Sequence, residues 1–380
     1  MHIHRHIDQH RLSQLVELFP VAAILGARQC GKTTLTMRYG ADHVFDLENP
    51  RHLARLEEPQ LALEGLAGLI VIDEIQRRPA LFPLLRVLAD SRPDQKYLIL
   101  GSASRELIQQ SSESLAGRIG YYHLGGFHVP DVEERDILWL RGGYPRAYLA
   151  PDDAAAFVWI DQYLSTFLER DIPQLGITIP AHTLRRFWTM LSHYHGQEFN
   201  YAEMARSFGI SDMTVRSYLD ILAGTFMVRL LRPFSANVSK RLVKRPKVYL
   251  RDSGLFHSFM TIETMEQLQS HPKLGASWEG FALENVAFAL NKRDEDLFFY
   301  RTHGGTELDL FWQHGGRSWG VEFKYADAPR RTKGLTTAMH DLSLSHLWIV
   351  YPGTETYPLA NNITVLPLKD IQPPWMYPGG

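Results

Sequence analysis

The chain has 380 residues, is 45% hydrophobic and 22% charged, and carries a formal net charge of −2. Such proportions fit a soluble globular protein of two or three domains and exclude both a disordered chain and a global positive field for nucleic acid. The single cysteine, Cys30, excludes an intrachain disulfide, and no apolar run approaches the roughly 20 residues that cross a bilayer.

At the start, MHIHRHIDQH has no apolar signal core, so a cytoplasmic protein without membrane contact is expected. His2, His4 and His6 alternate and could ligate a metal, but a solvated face on a short amphipathic segment is the preferred reading. Short apolar runs then alternate with helical stretches up to about residue 150. Val21–Leu25, Leu69–Ile72, Tyr97–Leu100 and Tyr121–Leu124 read as buried strands of a parallel sheet, whose two faces are both covered.

Directly after the first strand, Gly26-Ala27-Arg28-Gln29-Cys30-Gly31-Lys32-Thr33 matches G-x-x-x-x-G-K-[ST] in full, and a helix to Tyr39 follows. Between a strand and a helix, this pattern predicts a loop from Gly26 to Thr34 whose amides enclose the phosphates of ATP. Lys32 is placed for the β- and γ-phosphates and the Thr33 hydroxyl for Mg²⁺. The run Leu69–Ile72 ends in Asp73-Glu74. Asp73 is expected to hold the Mg²⁺ and Glu74 to act as general base on water. Alone, Asp-Glu after a strand is more often a helix start; the phosphate loop tips the balance.

The third strand leads into Gly101-Ser102-Ala103-Ser104. Ser102 is a candidate for contact with the γ-phosphate or the attacking water, with a helix cap by Ser102 or Ser104 nearly as good a reading. Arg118 precedes the fourth strand. It is a candidate for stabilising transition-state charge in a neighbouring subunit, which would make the active form a homo-oligomer with ATP sites between subunits. A surface ion pair accounts for it equally well.

The segments GARQCGKTTL, VIDEIQRRP, LGSASREL and SLAGR, followed by GGYPRAYLA and YLSTFLERDIPQL, resemble a bacterial and archaeal family of AAA-like P-loop ATPases of the DUF4143 type. The resemblance covers essentially the whole chain. It implies an ATPase core, then a winged-helix segment, then a restriction-endonuclease-like domain. Where AAA proteins usually carry Asn or Thr, this chain has the shorter Ser102.

Beyond Pro151-Asp152-Asp153, helical periodicity runs from Ala154 to about Leu222. Tyr201, Met204, Ala205 and Phe208 share one helical face, Gly209 breaks it, and Ser211 can cap a second helix with Val215, Leu219 and Leu222 inward. This is a helix-turn-helix pattern, with Met213, Thr214, Arg216 and Ser217 outward. Lys240, Arg241, Lys244, Arg245 and Lys247 follow as a cationic cluster suited to the phosphate contacts of a wing. DNA is therefore the expected partner through nonspecific contact, although helix-turn-helix units also serve as packing modules, and Asp212 and Asp220 weaken sequence reading.

Near the C-terminal end, a helix is expected around Trp278–Leu290 and two alternating strands near Thr306–Trp312 and Trp319–Lys324. Glu307 and Asp309 share a strand face, as do Glu322 and Lys324. Paired as a hairpin, the strands would gather Asp309, Glu322 and Lys324, an arrangement able to bind a second Mg²⁺ and activate water. The pattern resembles the Asp…Glu-x-Lys site of restriction-type nucleases, and Glu279 matches the additional acid of that fold. An amphipathic hairpin facing water is the plainer account. Trp278, Phe281, Phe288, Phe298, Phe299 and Tyr300 read as core.

The fold class expected is α/β. An AAA-like P-loop ATPase domain is assigned to residues 1–150, a helical linker and winged helix-turn-helix to 151–255, and a small restriction-endonuclease-like α/β domain to 256–380. The function expected is Mg²⁺-dependent ATP hydrolysis coupled to DNA binding or remodelling. Two alternatives stand beside it: an ATP-controlled protein-interaction switch and an ATP-gated endonuclease.

Overall fold

Fourteen strands alternate with helices along the described part of the chain. The computed structural model describes residues 3–102, 111, 113–235, 243–371 and 377, with Ser102 described by its backbone. Contacts divide the chain into one unit of Met1–Phe127 with Gly224–Phe226 and a second of His128–Ala223 with Met227–Gly380.

In the first unit, β1 (Val21–Gly26), β2 (His43–Asp46), β3 (Gly68–Asp73), β4 (Gln95–Ser102) and β5 (Ile119–His123) form a five-stranded sheet in the order β2-β3-β4-β1-β5. Its neighbouring strands pair in parallel. All six residues of β1 are buried, as expected of a strand covered on both faces. On one face Ala23, Leu25, Ile70, Ile72 and Ile99 pack against Leu81, Phe82, Leu85 and Leu88. Those four recur at helical spacing along the helix Leu81–Ser91. On the other face lies the helix His6–Leu18; a Cβ on Gly120 would stand 2.6 Å from the Phe19 ring and 2.8 Å from Leu15. Fully burying one such apolar side chain stabilises the fold by about 1.5–3 kcal/mol.

Because β4 lies between β1 and β3, three strand ends converge at one edge. Gly26 of β1 stands in register with Ser102 of β4, and Asp73 closes β3. In open α/β sheets the carboxyl ends of the strands are where ligands bind.

The second unit is built on a mixed nine-stranded sheet. Its strands are β6 (Gln197–Glu198), β7 (Val228–Pro233), β8 (Lys247–Leu250), β9 (Phe298–Arg301), β10 (Glu307–His314), β11 (Arg317–Phe323), β12 (Leu344–Tyr351), β13 (Tyr357–Ala360) and β14 (Ile363–Pro367). Their order is β13-β14-β12-β11-β10-β9-β7-β8-β6. β10 and β11 form the expected antiparallel hairpin, with Leu310 opposite Val321. The helix Leu274–Leu290 is buried along most of its length, and Trp278, Phe281, Phe299 and Tyr300 are core, while Phe288 and Phe298 are half-buried. Between the units' strands the chain is largely helical: Asp153–Thr166, Ala181–His193, Tyr201–Phe208 and Asp212–Gly224. Among the described residues, no helix is long and apolar enough to cross a membrane.

Candidate functional sites

The phosphate-loop residues run from the end of β1 into the helix Lys32–Tyr39. Gly26 is required by close approach, since a Cβ there would lie 2.2 Å from the Leu124 carbonyl oxygen. Gly31 has φ 102°, a left-handed conformation that glycine adopts without steric cost. Lys32 is only 6% exposed. Its Nζ donates to the carbonyl oxygens of Gly26 and Ala27, both at 2.9 Å. The Thr33 hydroxyl donates to Asp73 Oδ2 at 2.8 Å, which ties the loop to the end of β3. The Glu74 amide donates to Asp73 Oδ1 at 2.9 Å.

Glu74 has φ 56°, a sparsely populated conformation for a side-chain-bearing residue that costs on the order of 1–3 kcal/mol. Its carboxylate accepts from the Gln76 amide. Burial pushes the carboxyls of both Asp73 and Glu74 above their ordinary values, against the pull of the Thr33 hydrogen bond on Asp73 and of Lys32 on both. Arg28 pairs with Glu48 at 3.3 Å. Cys30 is buried, with its Sγ 3.4 Å from the Leu124 carbonyl oxygen. Arg118 forms a two-pronged pair with Asp90, at 2.6 and 2.9 Å, on an exposed surface. Ser104 and the Ser102 side chain lie outside the described residues, as does His2; His4 and His6 stack on one another.

One residue behind the loop escaped the sequence reading. Arg5 donates to the carbonyls of Cys30 and Gly125 at 3.1 Å and of Gly126 at 2.9 Å. It is itself held by Asp8 at 2.7 Å, and Asp8 accepts from the Tyr122 hydroxyl. This buried network braces the loop from the side of the first helix.

The second candidate site is the helix pair. Asn200 caps Tyr201–Phe208 by accepting from the Glu203 amide, Gly209 ends it at φ 67°, and Ser211 Oγ accepts from the Thr214 amide at 3.1 Å. Met204, Ala205, Val215, Leu219 and Leu222 are buried, and Met213 is 79% exposed. The Arg216 guanidinium stacks over Tyr201, 4.0 Å from the ring centroid. The antiparallel strands β7 and β8 follow. Lys240 and Arg241 lie outside the described residues, while Lys244 and Arg245 precede β8.

Lys247 requires a correction. The sequence groups it with the surface cations, but it is 2% exposed and so is not available to a DNA backbone. Its ammonium lies 2.7 Å from Glu307 Oε1, 3.1 Å from Glu279 Oε1 and 3.3 Å from Asp309 Oδ1. The cause is that β8 is buried on both faces, and the Lys247 side chain reaches the acids of β10 and the helix Leu274–Leu290.

Lys247 is therefore part of the third site, a cavity of about 690 Å³ where Glu279, Glu307, Asp309, Glu322 and Lys324 also converge. Lys324 Nζ sits 2.6 Å from Glu322 Oε1. The Tyr249 hydroxyl donates to Glu279 Oε1 at 2.5 Å, and the Phe323 amide to Asp309 Oδ2 at 3.0 Å. Burial and the Asp309 charge push Glu279 up to about 7 and Glu322 up to about 8. Burial works against the Lys247 charge, but Tyr249, Glu279, Asp309 and Glu307 outweigh it and raise its pKa. Among the described residues, no three His, Cys, Asp or Glu side chains form a group that could hold a metal ion.

Three family models match successive parts of the chain: "AAA domain" over residues 19–132, "Domain of unknown function (DUF8612)" over 132–266 and "Domain of unknown function (DUF4143)" over 274–371. The chain is similar to the uncharacterized proteins Rv2008c of Mycobacterium tuberculosis (strain ATCC 25618 / H37Rv) and Mb2031c of Mycobacterium bovis (strain ATCC BAA-935 / AF2122/97). Each is 47% identical over 368 residues, covering 95% of this chain and 83% of the relative. The chain belongs to their family, AAA-domain proteins with a C-terminal DUF4143 domain. Among solved structures it is similar to the Walker-type ATPase PABY2304 of Pyrococcus abyssi, with TM-score 0.46 and 15% identity over 68% of this chain and 95% of that one.

The AAA-domain match contains the phosphate loop, Asp73, Glu74, Ser102 and Arg118. Glu279, Glu307, Asp309, Glu322 and Lys324 fall inside the DUF4143 match, whereas Lys247 and Tyr249 fall in the preceding DUF8612 match. The acidic pocket of this AAA-domain protein is thus completed by a strand from outside its DUF4143 segment.

Proposed function

We propose that this AAA-domain protein binds Mg·ATP in its first unit, hydrolyses it and couples turnover to contact with DNA. The observation that carries the reading is the Thr33–Asp73 hydrogen bond at 2.8 Å, which joins the phosphate loop to β3 beside Glu74. Thr33 and Asp73 would hold Mg²⁺, Asp73 through water, and the ion when bound neutralises charge on the β- and γ-phosphates. The loop amides from Gly26 to Thr34 would surround the phosphates, while Lys32 exchanges two carbonyl acceptors for phosphate oxygens. Glu74, its carboxyl raised by burial, would take a proton from the attacking water, since a general base works best with a pKa near the working pH. The β4 register sets Ser102 next to the loop, within the edge where that water would stand. In a homo-oligomer Arg118 would leave Asp90 to reach a neighbour's γ-phosphate.

For DNA, the support is the capped helix pair followed by β7 and β8, which we read as a winged helix. Arg216, Lys244 and Arg245, with Lys240 and Arg241, would meet the backbone phosphates. The domain assignment 1–150, 151–255 and 256–380, with a restriction-endonuclease-like fold in the last part, belongs to the same proposal. A second reading is favoured by one observation. The Lys247 ammonium lies among the acids that a nuclease would use for metal, which speaks against a DNA endonuclease and leaves an ATP-controlled interaction switch as the alternative.

Steady-state ATP hydrolysis with Mg²⁺, alone and with single-stranded, duplex or branched DNA, tests the proposal. Turnover raised by DNA, with binding that weakens at higher salt, is the expected result. Turnover indifferent to DNA and no salt-sensitive binding would leave the interaction switch.

A further inference from the structure

The carboxylate pocket of the second unit has an excess of acids and an inner lysine, and the hydrogen bonds around that lysine decide what the pocket can bind. Four carboxylates, Glu279, Glu307, Asp309 and Glu322, face two ammoniums, Lys247 and Lys324. Mg²⁺ demands near-octahedral oxygen ligands at about 2.0–2.1 Å. Both Asp309 oxygens and one Glu279 oxygen, which would supply them, are engaged by donors. Asp309 Oδ1 faces Lys247 at 3.3 Å, and its Oδ2 accepts from the Phe323 amide at 3.0 Å. Glu279 Oε1 accepts from both Lys247 and the Tyr249 hydroxyl. A divalent ion on Asp309 and Glu279 would stand beside a buried ammonium whose charge repels it. The residues as placed do not fit a resident metal.

We propose that the Lys247 ammonium is the pocket's own cation, seated among Glu279, Glu307 and Asp309, and that it excludes a divalent metal ion from them. Beside that cluster one acceptor of the pocket is left open. Glu322 Oε2 is buried with no hydrogen-bond partner, in a side chain 10% exposed, and a buried acceptor without a donor is costly unless a proton or cation meets it. Removing the ammonium leaves four acids facing Lys324 on Glu322 and Arg301 on Glu307, with Glu279 and Asp309 uncompensated, which is an electrostatic opening for a metal. The pocket is made by residues other than those of the phosphate loop, so its cation binding can be measured separately from ATP hydrolysis.

The test is uptake of Mn²⁺ by the full chain without nucleotide, followed by the electron-spin signal of the free ion. The comparison is between wild type, Asp309→Asn, Lys247→Met and the Lys247→Met/Asp309→Asn double variant. Wild type and Asp309→Asn should match, because Asp309 takes part in no metal site. Lys247→Met should gain a Mn²⁺ site that wild type lacks, and the double variant should lose it. If Lys247→Met fails to fold, Lys247→Gln replaces it with a neutral side chain that can still hydrogen-bond. Wild-type uptake abolished by Asp309→Asn overturns the proposal, as does a folded Lys247 variant that gains no site.

Discussion

Among the described residues each unit buries one lysine beside acidic side chains, and the two lysines are held differently. Lys32 rests on two carbonyl oxygens of its own loop, neutral acceptors that a phosphate can replace. Lys247 is surrounded by three carboxylates, and no neutral ligand offers an equivalent exchange. The first arrangement leaves a cation poised for an incoming anion; the second is an internal ion cluster that resists change. Acid and lysine in proximity therefore do not define a metal or phosphate site. What the lysine gives up on binding decides it.

The strongest challenge to this contrast is Glu74→Gln. Turnover should fall by roughly 10²–10⁴-fold while Mg·ATP binding persists, because the amide keeps the shape but cannot take a proton. Single-turnover hydrolysis beside a nucleotide titration checks it, and equal loss of both would remove Glu74 from the chemistry. Next comes Lys247→Met, which leaves buried acids without their cation and should destabilise the second unit by about 3–5 kcal/mol, read by chemical denaturation. A near-neutral effect would mean that the cluster contributes nothing to folding.

The pH dependence is smaller and has a defined sign. Glu279 and Glu322 have folded values of about 7 and about 8, above their ordinary 4.5. Their raised values contribute stability that is fully present below about 4.5 and is lost as pH rises through 7 to 8. The loss is on the order of 1 kcal/mol per pH unit and belongs to the pair, whose titrations are coupled through Asp309 and one another. Glu322→Gln should flatten that decline in a series of melting curves, and an unchanged slope would count against it. The smallest effect expected is on DNA: replacing Lys244 and Arg245 together by Ala should lower the salt dependence of binding by about two phosphate contacts without altering ATP turnover in the absence of DNA.

The phosphate loop was legible because its residues are contiguous and the strand before it is apolar on both faces. Asp73 and Glu74 were legible for the same local reason. β2 was not, since in His43–Asp46 only Phe45 is buried and the strand lies at the sheet edge. Arg5 was hidden because its partners near residues 30 and 125 are distant in sequence. The β10–β11 hairpin and its acids could be read from alternation. Lys247 could not: beside Lys244 and Arg245 it looks like one more solvated cation, and its acids stand more than thirty residues away. Ionic pairing across a sheet leaves no periodic trace in a single sequence.

The most direct measurement is a titration of the full chain with fluorescent Mg·ATP, wild type against Lys32→Ala. Saturable binding by wild type, weakened by on the order of 100-fold in the variant, is predicted. No binding by wild type, or the same affinity in both, would contradict the assignment of the loop as the seat of the nucleotide.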